Sequence, residues 1–124
     1  MKEKSILIVD DVEMNRAILK HMLSDDFNIY EAERGKEAID ILNECYNDIS
    51  LILLDIILPD IDGFEVLSFL KKDDKFKDIS VFIISALEKD EDTLKKAYEM
   101  GVCGFISKPF DIGSIKETIK KLNI

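Results

Sequence analysis

Leu51-Ile52-Leu53-Leu54-Asp55 is an apolar run closed by a carboxylate. A short continuous apolar run suits a strand covered on both faces, because a strand with one wet face alternates apolar with polar residues. Ser5 to Val9, Asn28 to Glu31, Val81 to Ile84 and Gly104 to Ser107 are further β-rich runs. The segments between them have helical period. Met14, Ala17, Ile18 and Met22 form one stripe, and Ala38, Ile41, Leu42 and Cys45 a second. Val66, Leu67 and Leu70 mark a third, Leu94, Ala97, Tyr98 and Gly101 a fourth, and Ile112, Ile115, Ile119 and Leu122 a fifth. Strands alternating with helices predict repeated βα units around a parallel sheet, an α/β fold. Gly101 is expected to end the fourth helix in a left-handed conformation, and Asp111 to cap the fifth.

With 124 residues and 47% hydrophobic content, residues 1–124 read as a single domain, with no output domain in this chain. A net charge of -9 argues against direct nucleic-acid binding, which draws its affinity from basic patches on phosphates. Cys45 and Cys103 form no C-x-x-C pair and read as reduced thiols in or near the core. The apolar run after Met1-Lys2-Glu3-Lys4 stops at Asp10-Asp11, too early for the h-region of a signal peptide. No apolar stretch approaches the ~20 residues of a membrane helix. A cytoplasmic, soluble protein without membrane contact is expected.

Asp10-Asp11 follows one strand, Asp55 ends another and Lys108-Pro109 follows a third. In an open doubly wound sheet, ligands bind beyond the carboxyl ends of the strands, where the strand order reverses. Any one of these charges alone reads as a polar residue leaving a strand; four on one rim read as a site. Like charges ~5 Å apart at an effective dielectric of ~20 repel by about 3 kcal/mol per pair, so clustered carboxylates need a cation or protons. Mg²⁺ suits this all-oxygen set and draws phosphate oxygens to the same place. An ionised Asp55 can then attack phosphorus to give an acyl phosphate, with Lys108 and Mg²⁺ neutralising the equatorial oxygens. Ser85, at the end of the fourth strand and followed by the small Ala86, is placed to donate a hydrogen bond to the new phosphoryl group, or is simply a turn serine.

Over essentially its whole length the chain resembles the receiver domain of two-component response regulators. Asp10-Asp11 matches that family's acidic pair, Asp55 its phosphoacceptor, Ser85 its switch hydroxyl, Phe105 its switch aromatic and Lys108-Pro109 its terminal Lys-Pro. The stretch Asp55 to Gly63 resembles the loop after the family's third strand. The resemblance implies a five-stranded, doubly wound parallel (βα)5 sheet with the flavodoxin-like strand order 2-1-3-4-5. It implies Mg²⁺ held by Asp11 and Asp55, by Asp10 partly through water, and by the backbone carbonyl of Ile57. The donor it implies is a phosphohistidine on a histidine kinase or histidine phosphotransfer protein. The sole histidine, His21, lies far in sequence from the strand-end charges and reads as a surface residue, and no glycine-rich loop for ATP is present. The chain is thus expected to be a phosphoacceptor that assists its own phosphorylation and dephosphorylation, not a turnover enzyme.

By the same resemblance, Phe105 swings inward when Ser85 engages the phosphoryl group, changing the face of helix four, strand five and helix five toward an unidentified output partner or domain. Lys95, Lys96, Lys116, Lys120 and Lys121 make that region basic, as a surface for a partner or a phosphorylation-dependent homodimer, or as plain solvated helix faces. Ile57 and Leu87, two residues beyond Asp55 and Ser85, occupy positions that border the hydrolytic water in the family. Neither can orient it, so slow self-dephosphorylation is expected. Asp11 to Arg16 also resembles the opening of hybrid-kinase receivers, which leaves open a longer parent protein. A haloacid-dehalogenase-type phosphatase would need an aspartate at Ile57, and a calcium loop containing Asp60-x-Asp62-Gly63 would need carboxylates at Leu58 and Phe69. A receiver-like module that binds without being phosphorylated is the remaining rival.

Overall fold

The five strands are β1 (Ser5–Val9), β2 (Asn28–Ala32), β3 (Ile49–Asp55), β4 (Ser80–Ser85) and β5 (Gly104–Ser107), and all pair in parallel in the order β2-β1-β3-β4-β5. The computed structural model describes residues 4–85, 91–107 and 112–122. Five helices alternate with the strands: α1 (Glu13–Leu23), α2 (Gly35–Cys45), α3 (Gly63–Lys71), α4 (Glu91–Glu99) and α5 (Ile112–Lys121). This is the doubly wound arrangement and strand order expected from the sequence. β3 is longer than its apolar run suggested, taking in Ile49 and Asp55.

Successive residues of a strand point to opposite faces, and both faces here are covered. Leu7, Val9, Ile52, Leu54 and Ile83 enter one core with Ala38 and Leu42 of α2 and Val66 and Leu67 of α3. Ile6, Ile8, Leu51, Leu53 and Ile84 enter the other with Leu19 and Leu23 of α1 and Ile115 and Ile119 of α5. That double coverage is why the central strands carry almost no polar residue before their last positions.

The α1 stripe differs from the expectation. Arg16, Leu19, Met22 and Leu23 are buried, while Ala17 is exposed and Met14 and Ile18 are 71% and 39% exposed. Two apolar stripes run along this helix, and periodicity alone does not choose between them. The choice is made by Arg16, whose guanidinium reaches the Asp10 carbonyl at 2.8 Å and Glu31 of β2 at 3.3 Å, turning its own face toward the sheet.

α4 likewise buries Ala97 but leaves Tyr98 exposed, and Gly101 follows it at φ +87°, the left-handed turn expected there. Both cysteines are free thiols; Cys45 is half-buried, but Cys103 is exposed rather than near the core. Cys103 directly precedes β5, at an edge of the sheet. No described helix is long and apolar enough to cross a membrane.

Candidate functional site

β1 and β3 are paired with Val9 opposite Leu54, so the next residues, Asp10 and Asp55, come side by side at the carboxyl edge. The chain runs from β1 to β2 on one side and from β3 onward on the other, so this is the point where the strand order reverses. The carboxylate oxygens of Asp10, Asp11 and Asp55 lie within 4.8 Å of one another. Asp10 is fully buried and Asp55 6% exposed, whereas Asp11 faces solvent.

Each buried acid is held by backbone or amide donors. Asp10 Oδ1 accepts from the Val12 N–H at 2.9 Å and Oδ2 from the Asn15 side-chain amide at 3.2 Å. Its own carbonyl accepts from Arg16, which is itself tied to Glu31 and Glu33. Asp55 Oδ1 accepts from the Ile57 N–H at 3.0 Å. A carboxylate that receives N–H donors keeps its orientation without a counter-ion. The donor set is all oxygen, two acids buried and one open to solvent, which fits a hard divalent cation such as Mg²⁺.

The loop after β3 is shaped by a glycine and two aspartates. The Gly63 N–H donates to the Ile56 carbonyl at 2.7 Å, and a Cβ at Gly63 would lie 2.7 Å from the Asp55 carbonyl oxygen and the Ile56 Cα. Only glycine allows that approach. Asp62 caps α3 by accepting from the Glu65 N–H at 3.0 Å. Asp60 accepts from the Gly35 and Lys36 N–H groups at the start of α2, at 2.8 and 3.0 Å. Partial loss of water around Asp60 tends to raise its pKa, but the backbone N–H groups of Lys36, Ile61, Gly35 and Asp60 itself outweigh that and lower it from 3.8 to about 2.

Of the residues singled out from the sequence, Asp10, Asp11 and Asp55 are brought together, and Ile57 follows with its N–H on Asp55. Asp55 pairs with Ile84, so Ser85 ends β4 one step further along the same edge, and Ser85 pairs in turn with Ser107, the last residue of β5. The Ser85 side chain, Ala86, Leu87, Lys108, Pro109 and Asp111 lie outside what is described. Phe105 is half-buried against the core beneath α2, α3 and α4, its ring meeting that of Tyr98 edge-on at 5.3 Å. His21 is exposed, as expected. Arg16, Asn15 and Asp60 were given no role at this site by the sequence, Asp60 entering only through the rejected calcium loop. Their polar character was visible, but their partners lie across turns or on other elements.

The family model described as the response regulator receiver domain matches residues 6–120. Chemotaxis protein CheY of Halobacterium salinarum is 37% identical over 117 residues, covering 94% of this chain and 93% of that protein. The "Probable transcriptional regulator ycf29" of Porphyra purpurea is 37% identical over 122 residues, 98% of this chain but 57% of that protein. This chain thus spans little more than half the length of that relative. Among solved structures, the CheX-CheY-BeF3-Mg²⁺ complex from Borrelia burgdorferi superposes with a TM-score of 0.86 at 32% identity, covering 98% of this chain and 90% of that one. The chain belongs to the response regulator receiver domains, the phosphorylation-dependent signalling switches of two-component systems.

Proposed function

We propose that this receiver takes a phosphoryl group from a phosphohistidine onto Asp55. The observation that carries the reading is the meeting of Asp10, Asp11 and Asp55 within 4.8 Å at the point where the strand order reverses. A carboxylate oxygen of Asp55 attacks phosphorus, the P–N bond to the donor imidazole breaks, its electron pair stays on nitrogen, and an acyl phosphate forms on Asp55. Asp10, Asp11, Asp55 and the Ile57 backbone carbonyl would hold Mg²⁺, which when bound neutralises charge on the phosphoryl oxygens. The Borrelia CheY relative is solved with BeF3 and Mg²⁺, in line with such a site. Val12 and Asn15 keep Asp10 turned toward the cluster, and the Ile57 N–H fixes one oxygen of Asp55. By family resemblance Lys108 supplies a counter-charge and Ser85 a hydroxyl donor.

A protein donor is favoured over a small molecule by the apolar exposure along α1 and the loop after β3, the segments that follow Asp10-Asp11 and Asp55. Val12, Met14, Ile18 and Ile57 are all exposed apolar side chains on or beside α1 and the loop after β3. A groove of about 640 Å³ continues from Met14 and Ile18 past His21 to Lys116 of α5. Apolar exposure on this scale along the helix that follows the acidic pair is the mark of a docking surface. Output follows from Phe105: Ser85 drawn to the phosphoryl group leaves space for the ring, and its contact with Tyr98 carries that movement to α4 and the adjoining β5 and α5 surface. The output element, attached or separate, and a phosphorylation-dependent homodimer would read that face.

Incubation with a small phosphodonor and Mg²⁺ tests the reading. The intact mass should rise by one phosphoryl group in wild type and not in Asp55→Asn. An unmodified wild-type chain sinks the assignment and leaves the unphosphorylated binding module.

A further inference from the structure

Residues 56–62 form neither helix nor strand, yet they are fastened at three points. The hydrogen bond from Gly63 to the Ile56 carbonyl and the Asp62 cap on α3 tie the loop to itself and to the helix that follows it. Asp60 ties it to a distant element. Its two oxygens take the first two N–H groups of α2, at Gly35 and Lys36. Those groups have no partner inside a helix, and Arg34, at the N-cap of α2, makes no side-chain cap hydrogen bond. A capping aspartate normally precedes its own helix directly. Asp60 comes instead from 24 and 25 residues further along the chain. Ile61 packs where a Cβ of Gly35 would lie, so the two elements touch closely at this junction.

Ile57 sits between the strand end and this anchor, its N–H on Asp55 Oδ1. We propose that Asp60 is a positioning residue for the acidic site: by pinning the loop to the α2 N-terminus it fixes the Ile57 peptide, and with it the Asp55 carboxylate. The Ile57 carbonyl belongs to the same loop, so its role toward Mg²⁺ rests on the functional reading above, while the hold on Asp55 does not. Both carboxylate oxygens of Asp60 are taken up by the α2 N–H groups, so it acts on the site through the loop.

The test compares the full chain with Asp60→Ala, Asp60→Asn and Glu37→Ala. Glu37 supports the same end of α2 by accepting from the Glu33 N–H at 2.6 Å, away from the loop. Without metal, hydrogen exchange at the Ile57 amide should quicken about tenfold in Asp60→Ala, and less in Asp60→Asn, whose carbonyl oxygen still accepts. In Glu37→Ala it should stay near wild type. The Mg²⁺ Kd from calorimetry should rise several-fold in Asp60→Ala and hold within about twofold in Glu37→Ala. Unchanged Ile57 exchange in Asp60→Ala overturns the proposal, and so does an equal effect of Glu37→Ala, which would make it a matter of helix stability. A wild type that takes up no Mg²⁺ overturns the metal reading instead and leaves the exchange result to decide this one.

Discussion

Asp10, Asp11 and Asp55 were legible because a charge at the end of an apolar run needs no knowledge of distant contacts. Asp60 and Arg16 were not, since each takes its meaning from a partner on another element. Asp60 has a measurable pH signature. Its pKa is lowered in the folded state to about 2, so the stability it contributes is present above the unfolded carboxylate pKa, near 4, and is lost as pH falls through about 2. Urea unfolding of wild type and Asp60→Asn should differ most above pH ~5 and converge toward pH ~2. A gap that persists unchanged at pH ~2 would contradict the charged cap. Ile57 gives a second test. It is 63% exposed beside Asp55 and apolar, so it cannot orient a hydrolytic water. Phosphorylated Ile57→Asn should lose its phosphoryl group faster than wild type in Mg²⁺ buffer; equal decay would show that this side chain does not govern the lifetime.

The presence of five helices between the strands was legible from periodicity, but the inward face of α1 was not. Met14, Ala17 and Ile18 have the spacing of a core stripe, yet Leu19 and Leu23 fill the core while Arg16 lies over the sheet end. The leftover stripe, Met14, Ala17 and Ile18, lines a groove between α1 and Lys116 of α5. An apparent error of patterning thus separates two jobs on one helix, and mutants can separate them too. Leu19→Ala removes a fully buried side chain and should cost about 2–5 kcal/mol by denaturant unfolding. Met14→Ala and Ile18→Ala, on the exposed side, should stay within about 0.5 kcal/mol of wild type. Those two should slow transfer from a phosphohistidine protein while leaving the rate with a small phosphodonor unchanged. Equal slowing with both donors would mean that the face serves the chemistry rather than docking.

The strand order turns local signals into a site. β1 and β3 lie at the centre, covered on both faces, and alternation of apolar runs with helical stripes sufficed to predict that layering. Register did not show in the sequence: Val9 opposite Leu54 puts Asp10 beside Asp55, and a shift of one residue would have parted them. The fold therefore holds three acids together before any ligand arrives, and the whole molecule should register that repulsion in its stability. Asp11→Asn relieves the exposed member, where solvent screens the charge, and should stabilise the metal-free protein by up to about 1 kcal/mol. Mg²⁺ binding to the folded chain alone should stabilise wild type by about 1.4 kcal/mol at ten times its Kd. For a domain of this size that is a rise of roughly 5 °C in Tm. Asp11→Asn and Asp55→Asn should lose most of this increment, so that in Mg²⁺ the order of wild type and Asp11→Asn reverses from that in EDTA. If Mg²⁺ raises Tm equally in all three proteins, the ion is acting elsewhere on this acidic surface and the cluster is not its site.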